Sequence, residues 1–567
     1  MKLKTILLGA AAAMALAPAA FAERGADGKV NIIMWQAPST MNPYLSGGTK
    51  DIIAGSMVLE PLASFTPEGK LVPRLVTEIP SLENGGIAED LKSVTWKLQD
   101  GIKWSDGTPL TADDVAFTAQ YCMDPEGGCA QLSKYEGVAG VEVIDPLTVK
   151  VNFTEARPDP FSAFVAGQAP IIQKAQFENC LGAAAPTCSD QNFNPIGTGP
   201  FRVTEFRTND VISLEANPEY RDADKPAFAT MVIKGGGDAA AAARAVMETG
   251  EYDYAWNTQL APDVLAQMEA AGKGKPVAAF GSLVERIEIN LSDASSNLPE
   301  GERSTIQHPH PILTDPKVRL ALSMAIDRNT LNEVGYGPAG QPTCNLVPAP
   351  EAWASDNTGC LTQDIEGAKA LLDEAGWTVG GDGIREKDGV KLRLLYQTSV
   401  NAVRQDFQAL IKQWWSEIGV DTELKVVDAS VFFGGDAGSP DTFQKFYADV
   451  EMYANNFEGA NPEPYLAKHT CAQSPGPENQ WQGENVNRFC SEEYDNLVVE
   501  MSKTTDAAAR AELGRKMNDM LTKDSNVVIP LVYRGTASAV SNTLGGVELN
   551  AWDTEIWNVA DWHRVTE

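Results

Sequence analysis

The chain has 567 residues, 77 acidic and 45 basic, and a formal charge of −32. Such a charge repels nucleic acid and anionic membrane surfaces, and so excludes both as partners. Its 43% hydrophobic content is that of an ordinary globular protein. The length allows two or three domains around a large core, with no low-complexity tract or internal repeat.

The first segment reads as an export signal. Lys2 and Lys4 are followed by an apolar run over residues 6–16, and Ala20-Phe21-Ala22 supplies a small-x-small cleavage site. The apolar run is too short to span about 30 Å of hydrocarbon, and Pro18 sits near its end. Residues 1–22 are therefore expected to be a signal peptide cut after Ala22. Position 23 is Glu rather than Cys, so no lipid anchor is expected. No later segment is apolar enough to cross a bilayer, and the mature chain is expected to be soluble and exported.

Val30 to Trp35 reads as a first strand. Val94 to Leu98 alternates like a half-buried strand and leads to an Asp106-Gly107 turn. Thr111, with Asp114 three residues on, has the form of a capping box opening a helix. Residues 141–144 and 148–153, around Asp145-Pro146, predict a hairpin. Asp315-Pro316 begins another helix, with Val318, Leu322 and Ile326 on its buried face. Residues 364–375 predict a helix closed by Gly376. Residues 392–396 predict a strand, and Phe407, Leu410, Ile411, Trp414 and Ile418 mark the buried stripe of the next helix. Gly419 ends that helix, and residues 422–427 predict a further strand. Strand, helix, strand in this order indicates α/β layers.

Eight cysteines fall as close pairs: Cys122 and Cys129, Cys180 and Cys188, Cys344 and Cys360, Cys471 and Cys490. Eight cysteines allow about 105 pairings. Nearest-neighbour pairing is expected, because each pair brackets a loop containing Gly, Pro or Asn and export places it where disulfides persist. A zinc cluster is disfavoured: no pair has C-x-x-C spacing and only four histidines exist. His308-Pro309-His310 reads as a surface turn, and Asp113-Asp114 and Glu492-Glu493 as solvated faces.

The residues do not spell an enzyme. G-x-S-x-G, H-E-x-x-H and G-x-x-x-x-G-K-[ST] are all missing. Gly335-Tyr336-Gly337-Pro338-Ala339-Gly340 matches G-x-G-x-x-G, but it follows a helix, and Pro338 removes an N–H donor a phosphate would need. No catalytic residue, metal or cofactor is expected. A secreted hydrolase stays as the alternative of a different class.

Several segments together carry a resemblance. The run from Trp96-Lys97-Leu98 through Trp104-Ser105-Asp106-Gly107 to Asp113-Asp114-Val115 is preceded by Leu59-Glu60-Pro61-Leu62. It is followed in order by Gly197-Thr198-Gly199-Pro200-Phe201, Asn217-Pro218-Glu219-Tyr220, Val318-Arg319-Leu320-Ala321 and Ala325-Ile326-Asp327-Arg328. From about residue 30 to the C-terminus the chain resembles the extracytoplasmic solute-binding proteins of family 5, the oligopeptide- and dipeptide-binding components of peptide-type ABC importers. The resemblance implies an α/β, two-lobed periplasmic-binding-protein fold of type II, with an extra inserted domain and a hinged cleft. It implies a first lobe of residues 23–68, 196–290 and 536–567, an inserted domain of 69–195 and a second lobe of 291–535. Crossings between lobes would lie near residues 286–291 and 530–534.

The same resemblance implies capture of a small solute, most simply an oligopeptide or dipeptide, in the periplasm and delivery to an inner-membrane permease, by a monomer. Oligosaccharide, opine or another neutral solute is the alternative for the same fold. Peptide binders of the family anchor the ligand amine on an Asp; here Asn456 and Glu458 flank Phe457 instead. Arg404 stands where related binders hold a ligand carboxylate, for which a planar guanidinium is suited. Trp35, Trp256 with Asn257, and Trp481 are the aromatic candidates for ligand contact.

Overall fold

The computed structural model describes residues 23–457 and 459–565. The expected signal peptide and Glu458 lie outside the described residues.

Two large sheets organise the chain. The seven-stranded sheet runs, in spatial order, Gly274–Ala279, Thr536–Ser541, Tyr254–Trp256, Lys29–Met34, Thr230–Gly235, Val211–Ala216 and Phe201–Arg207. Its centre is the expected first strand, parallel to both neighbours. Val30, Ile32 and Met34 alternate into a core shared with Phe201, Met231, Tyr254 and Trp562. The six-stranded sheet runs Gly340–Pro342, Val528–Arg534, Val284–Ile289, Val450–Asn455, Arg393–Ser399 and Asp421–Val427. Phe407, Ile411 and Trp415 from helix Ala402–Glu417, with Val318 and Leu322 from helix Pro316–Met324, cover one face of it.

A third, smaller sheet joins Ser93–Lys97, Thr148–Phe153 and Val138–Asp145. The hairpin forms with a bulge at either end. The capping box forms too: Asp114 Oδ2 accepts from the Thr111 backbone N–H at 2.9 Å at the start of helix Ala112–Met123. The four nearest-neighbour disulfides close, and no free cysteine stands among the described residues.

Several local expectations are corrected. Asp114 is buried rather than solvated, because its second oxygen accepts the Lys174 backbone N–H at 2.9 Å. His310 is no surface turn: it is buried, meets Asp449 through Nε2 at 2.8 Å, and Nδ1 accepts the Ile312 and Leu313 amides. Helix Pro316–Met324 stops short of Ile326, which is buried in the turn before Asp327 caps the next helix.

The crossings also differ. Residues 286–289 and 530–534 lie within strands of the six-stranded sheet. The chain passes between the two large sheets at residues 280–283 and at the single residue Gly535. Apolar side chains on both flanks made the inner strands look like connections. The crossing segments are held side by side: Phe280 packs on Tyr533 at 5.6 Å, and the Tyr533 hydroxyl donates to the Gly281 carbonyl at 2.9 Å.

Candidate functional site

Strand Val284–Ile289 is buried along its whole length although it carries Glu285, Arg286 and Glu288. Charges in such a strand must find partners, since an unpaired buried charge costs several kcal/mol. Glu285 finds two. Arg404 Nε donates to its Oε1 at 2.5 Å, Arg534 Nε to its Oε2 at 3.3 Å, and the Tyr336 hydroxyl to Oε2 at 3.0 Å. Burial pushes the Glu285 carboxyl up, but the Arg404 and Arg534 guanidiniums outweigh it and hold it below the usual carboxylate range. One carboxylate thus serves two guanidiniums, and the trio keeps one positive charge.

Arg404 owes its position to the helix start. Asn401 caps helix Ala402–Glu417 by accepting the Arg404 backbone N–H, which leaves Arg404 in the first turn, beside Ser399 at the end of its strand. Arg404 and Arg534 both reach a cavity of about 90 Å³ between the two large sheets. From the six-stranded side, Phe433, Phe443, Tyr453 and Asn456 also line it. From the seven-stranded side come Trp256, Asn257 and the acidic segment Asp553-Thr554-Glu555.

Those two acids are held differently from Glu285. Asp553 accepts the backbone N–H groups of Phe65, Gly167 and Thr554 at 2.9, 3.1 and 2.7 Å. Glu555 accepts from the Tyr254 and Ser538 hydroxyls. Burial pushes both carboxyls up, against these hydrogen bonds. Lys50 also lines the cavity, but its ammonium is neutralised by Asp51 at 2.7 Å, so the cavity is bipolar, with guanidiniums from the six-stranded side and carboxyl groups facing them.

A second chamber of about 410 Å³ adjoins the first, and Gln168 and Asn456 line both. It lies between the small-sheet region and the helices that follow strand Val450–Asn455.

The sequence-derived candidates divide. Trp256, Asn257, Arg404 and Asn456 come together on the first chamber. Trp35 is not part of the wall; its indole N–H donates to the Asn257 carbonyl at 2.8 Å, so it supports Asn257, which has a left-handed backbone (φ 56°). Trp481 stands apart from both chambers, edge-on to Tyr447 at 6.0 Å and near Lys445, because its loop turns the ring inward against those residues. Glu458 lies outside the described residues.

Sequence reasoning missed Glu285, Arg534, Asp553 and Glu555. The signal for the first was present: three charged residues, Glu285, Arg286 and Glu288, set among Val284, Ile287 and Ile289. Nothing local marks the other three. Among the described residues no group of three or more His, Cys, Asp or Glu side chains is arranged to hold a metal, and no helix is long and apolar enough to cross a membrane.

Residues 70–474 match the family model described as bacterial extracellular solute-binding proteins, family 5 Middle. The glutathione-binding protein GsiB of Shigella boydii serotype 4 (strain Sb227) is 24% identical over 544 residues, covering 95% of each chain. The oligopeptide-binding protein AppA from Bacillus subtilis, solved with a nonapeptide, superposes with a TM-score of 0.81 at 20% identity, covering 96% of this chain and 100% of that one. NikZ from Campylobacter jejuni, solved with Ni(L-His), superposes with a TM-score of 0.79 at 21% identity, covering 95% and 100%.

Proposed function

The chain belongs to the bacterial extracellular solute-binding proteins, family 5, the substrate-binding components of ABC importers, and from that premise we propose that it captures a peptide in the cleft between its two large sheets. Members of this family bind and deliver solutes; they do not transform them.

The observation that carries the peptide reading is the bipolar first chamber. A peptide is a zwitterion, with a carboxylate for the Arg404 and Arg534 side and an ammonium for the Asp553 and Glu555 side. Charge-assisted hydrogen bonds of this kind are about twice as strong as neutral ones. Trp256, Asn257 and Asn456 are the remaining wall contacts in this reading, and Trp35 acts by holding Asn257. The amine site differs from the Asp expected of peptide binders: Asn456 is neutral, and the acids come from the C-terminal segment. The names of similar proteins support the same class, since GsiB is called glutathione-binding and AppA holds a nonapeptide.

We further read the molecule as a monomer working in the periplasm, not lipid-anchored, and docking on an inner-membrane permease. The first lobe is residues 23–68, 196–279 and 536–567, and the inserted domain is 69–195. The second lobe begins at residue 284, not 291, because strand Val284–Ile289 pairs in the six-stranded sheet. The hinge is then residues 280–283 and Gly535.

Native mass spectrometry of protein purified from its own host tests the ligand class. A distribution of co-purified peptides is expected. A single sugar-like mass would sink the peptide reading and favour a neutral solute, for which Asn456 is the supporting contact.

A further inference from the structure

The second chamber contains polar atoms that the fold itself does not use. Ser133 Oγ and Arg510 Nε are buried and have no hydrogen-bond partner, and both side chains are at least nine-tenths buried. The Ser162 hydroxyl oxygen is likewise buried and unpartnered. All three residues line this one chamber. An unpartnered buried polar atom costs about 1–3 kcal/mol, so three converging on one cavity is a cost the fold has a reason to bear. Arg510 Nε–H can only donate, so what it requires is an acceptor.

The surrounding charges specify the acceptor further. Arg157 Nη1 and Arg510 Nη2 donate to opposite oxygens of Glu463 at 3.0 and 2.7 Å. Two guanidiniums again share one carboxylate. Arg157 comes from the segment after the small sheet and Arg510 from helix Ala507–Asp519, so remote parts of the chain bring the two cations to one chamber. The other acids nearby are engaged by neighbours, Asp159 while lining the chamber itself. Asp159 accepts from Asn461 at 2.7 Å, and Glu484 is paired with Lys468 at 2.9 Å. Glu136 lines an adjoining pocket that shares Ser133, Ser162, Arg157 and Glu463 with this chamber, but does not line the chamber itself.

We propose that this chamber is an anion-selective subsite, in which Arg510 and Arg157, with the Ser133 and Ser162 hydroxyls, hold a carboxylate of the captured ligand. The proposal deepens the peptide reading and rests on it for the rest of the ligand: the second carboxylate is an acidic side chain, or the far end of a longer peptide. A carboxylate there adds contacts to the inserted domain and the second lobe at once, so binding favours the closed arrangement.

The test uses alanine-based tri- and tetrapeptides carrying Glu or Gln at each position, titrated calorimetrically into the mature protein. Glutarate and its monoamide are compared in parallel by thermal shift at constant ionic strength. At least one Glu peptide is expected to bind about tenfold more tightly than its Gln partner, the scale of a hydrogen bond to a charged group. Arg510→Met should erase that preference. The double variant Ser133→Ala, Ser162→Ala removes hydroxyls that bond nothing in the fold. Its melting temperature should hold or rise, its Glu-peptide affinity should drop severalfold, and its Gln-peptide affinity should stay within about twofold. Equal Glu and Gln affinities in the unaltered protein overturn the subsite and leave peptide capture standing, as does a preference that survives in both variants. No peptide binding, with glutarate stabilising more than its monoamide and Arg510→Met abolishing the difference, sinks the peptide reading and keeps the subsite. No response to any probe overturns the subsite.

Discussion

Replacing Glu285 by Gln keeps the side-chain volume and removes one charge from a site with no solvent exposure. The side chains of Arg404, Arg534 and Tyr336 all donate to this carboxylate. An amide offers one oxygen, and its NH2 group must face a guanidinium that can only donate. Two guanidiniums, each about 97% buried, would then lack a counter-ion, and breaking a buried pair in this way costs about 3–5 kcal/mol. The second lobe has roughly the size for which 1 kcal/mol moves the melting temperature by about 2–4 °C. Glu285→Gln should therefore melt about 6–20 °C lower at pH 7. The sign of the pH dependence follows from the depressed carboxyl. A folded-state pKa below the unfolded one contributes stability that is fully present above the unfolded value, near 4.5. That contribution is lost as pH falls through the folded value. The gap between the two proteins should stay constant from pH 7 to about 5 and narrow below about 4.5. Differential scanning calorimetry across pH 3.5–7 measures both effects. A variant melting within about 1 °C of the parent at pH 7 would refute the buried ionised trio, and a gap that widens on acidification would refute the assigned sign.

Glu555→Gln should weaken capture of zwitterionic peptides by about 10-fold or more, with little effect on N-acetylated ones; calorimetry with both forms checks it. Arg404→Met should show the converse selectivity, losing affinity for free-carboxylate peptides and not for their amides. Removing the Cys344–Cys360 bridge as a double Ser variant should lower stability by about 3 kcal/mol, the scale for a loop of sequence separation 16. The intact mass of the native protein should lie eight hydrogens below the reduced mass, and alkylation of unreduced protein should add nothing. His310→Ala should destabilise the molecule by about 1–3 kcal/mol in chemical denaturation, since Asp449 and the Ile312 and Leu313 amides lose their partner.

Much of the local structure was legible because its determinants are close in sequence. The Thr111–Asp114 capping box, the glycines at 376 and 419, the hairpin around Asp145-Pro146 and the four disulfides each depend on residues within about twenty positions of one another. The lobe crossings were misplaced because hydrophobicity cannot distinguish a strand buried inside a sheet from an apolar connection. Only hydrogen-bonded pairing put residues 286–289 and 530–534 inside the six-stranded sheet.

The site divides along the same line. The sequence by itself pointed to Trp256, Asn257, Arg404 and Asn456, but it read the stretch after Arg286 as a crossing and passed over the charges in the strand around Glu285. It could not name their partners. Glu285 is 119 residues from Arg404 and 249 from Arg534. Asp553 meets the amide of Phe65 across 488 residues, and Arg157 meets Glu463 across 306. A periodic pattern encodes which face of an element is buried. A buried charge encodes only that a counter-charge must exist. Which distant residue supplies it is decided by how the sheets and their connections bring remote segments together, and so the charges around the two chambers became readable only in the folded chain.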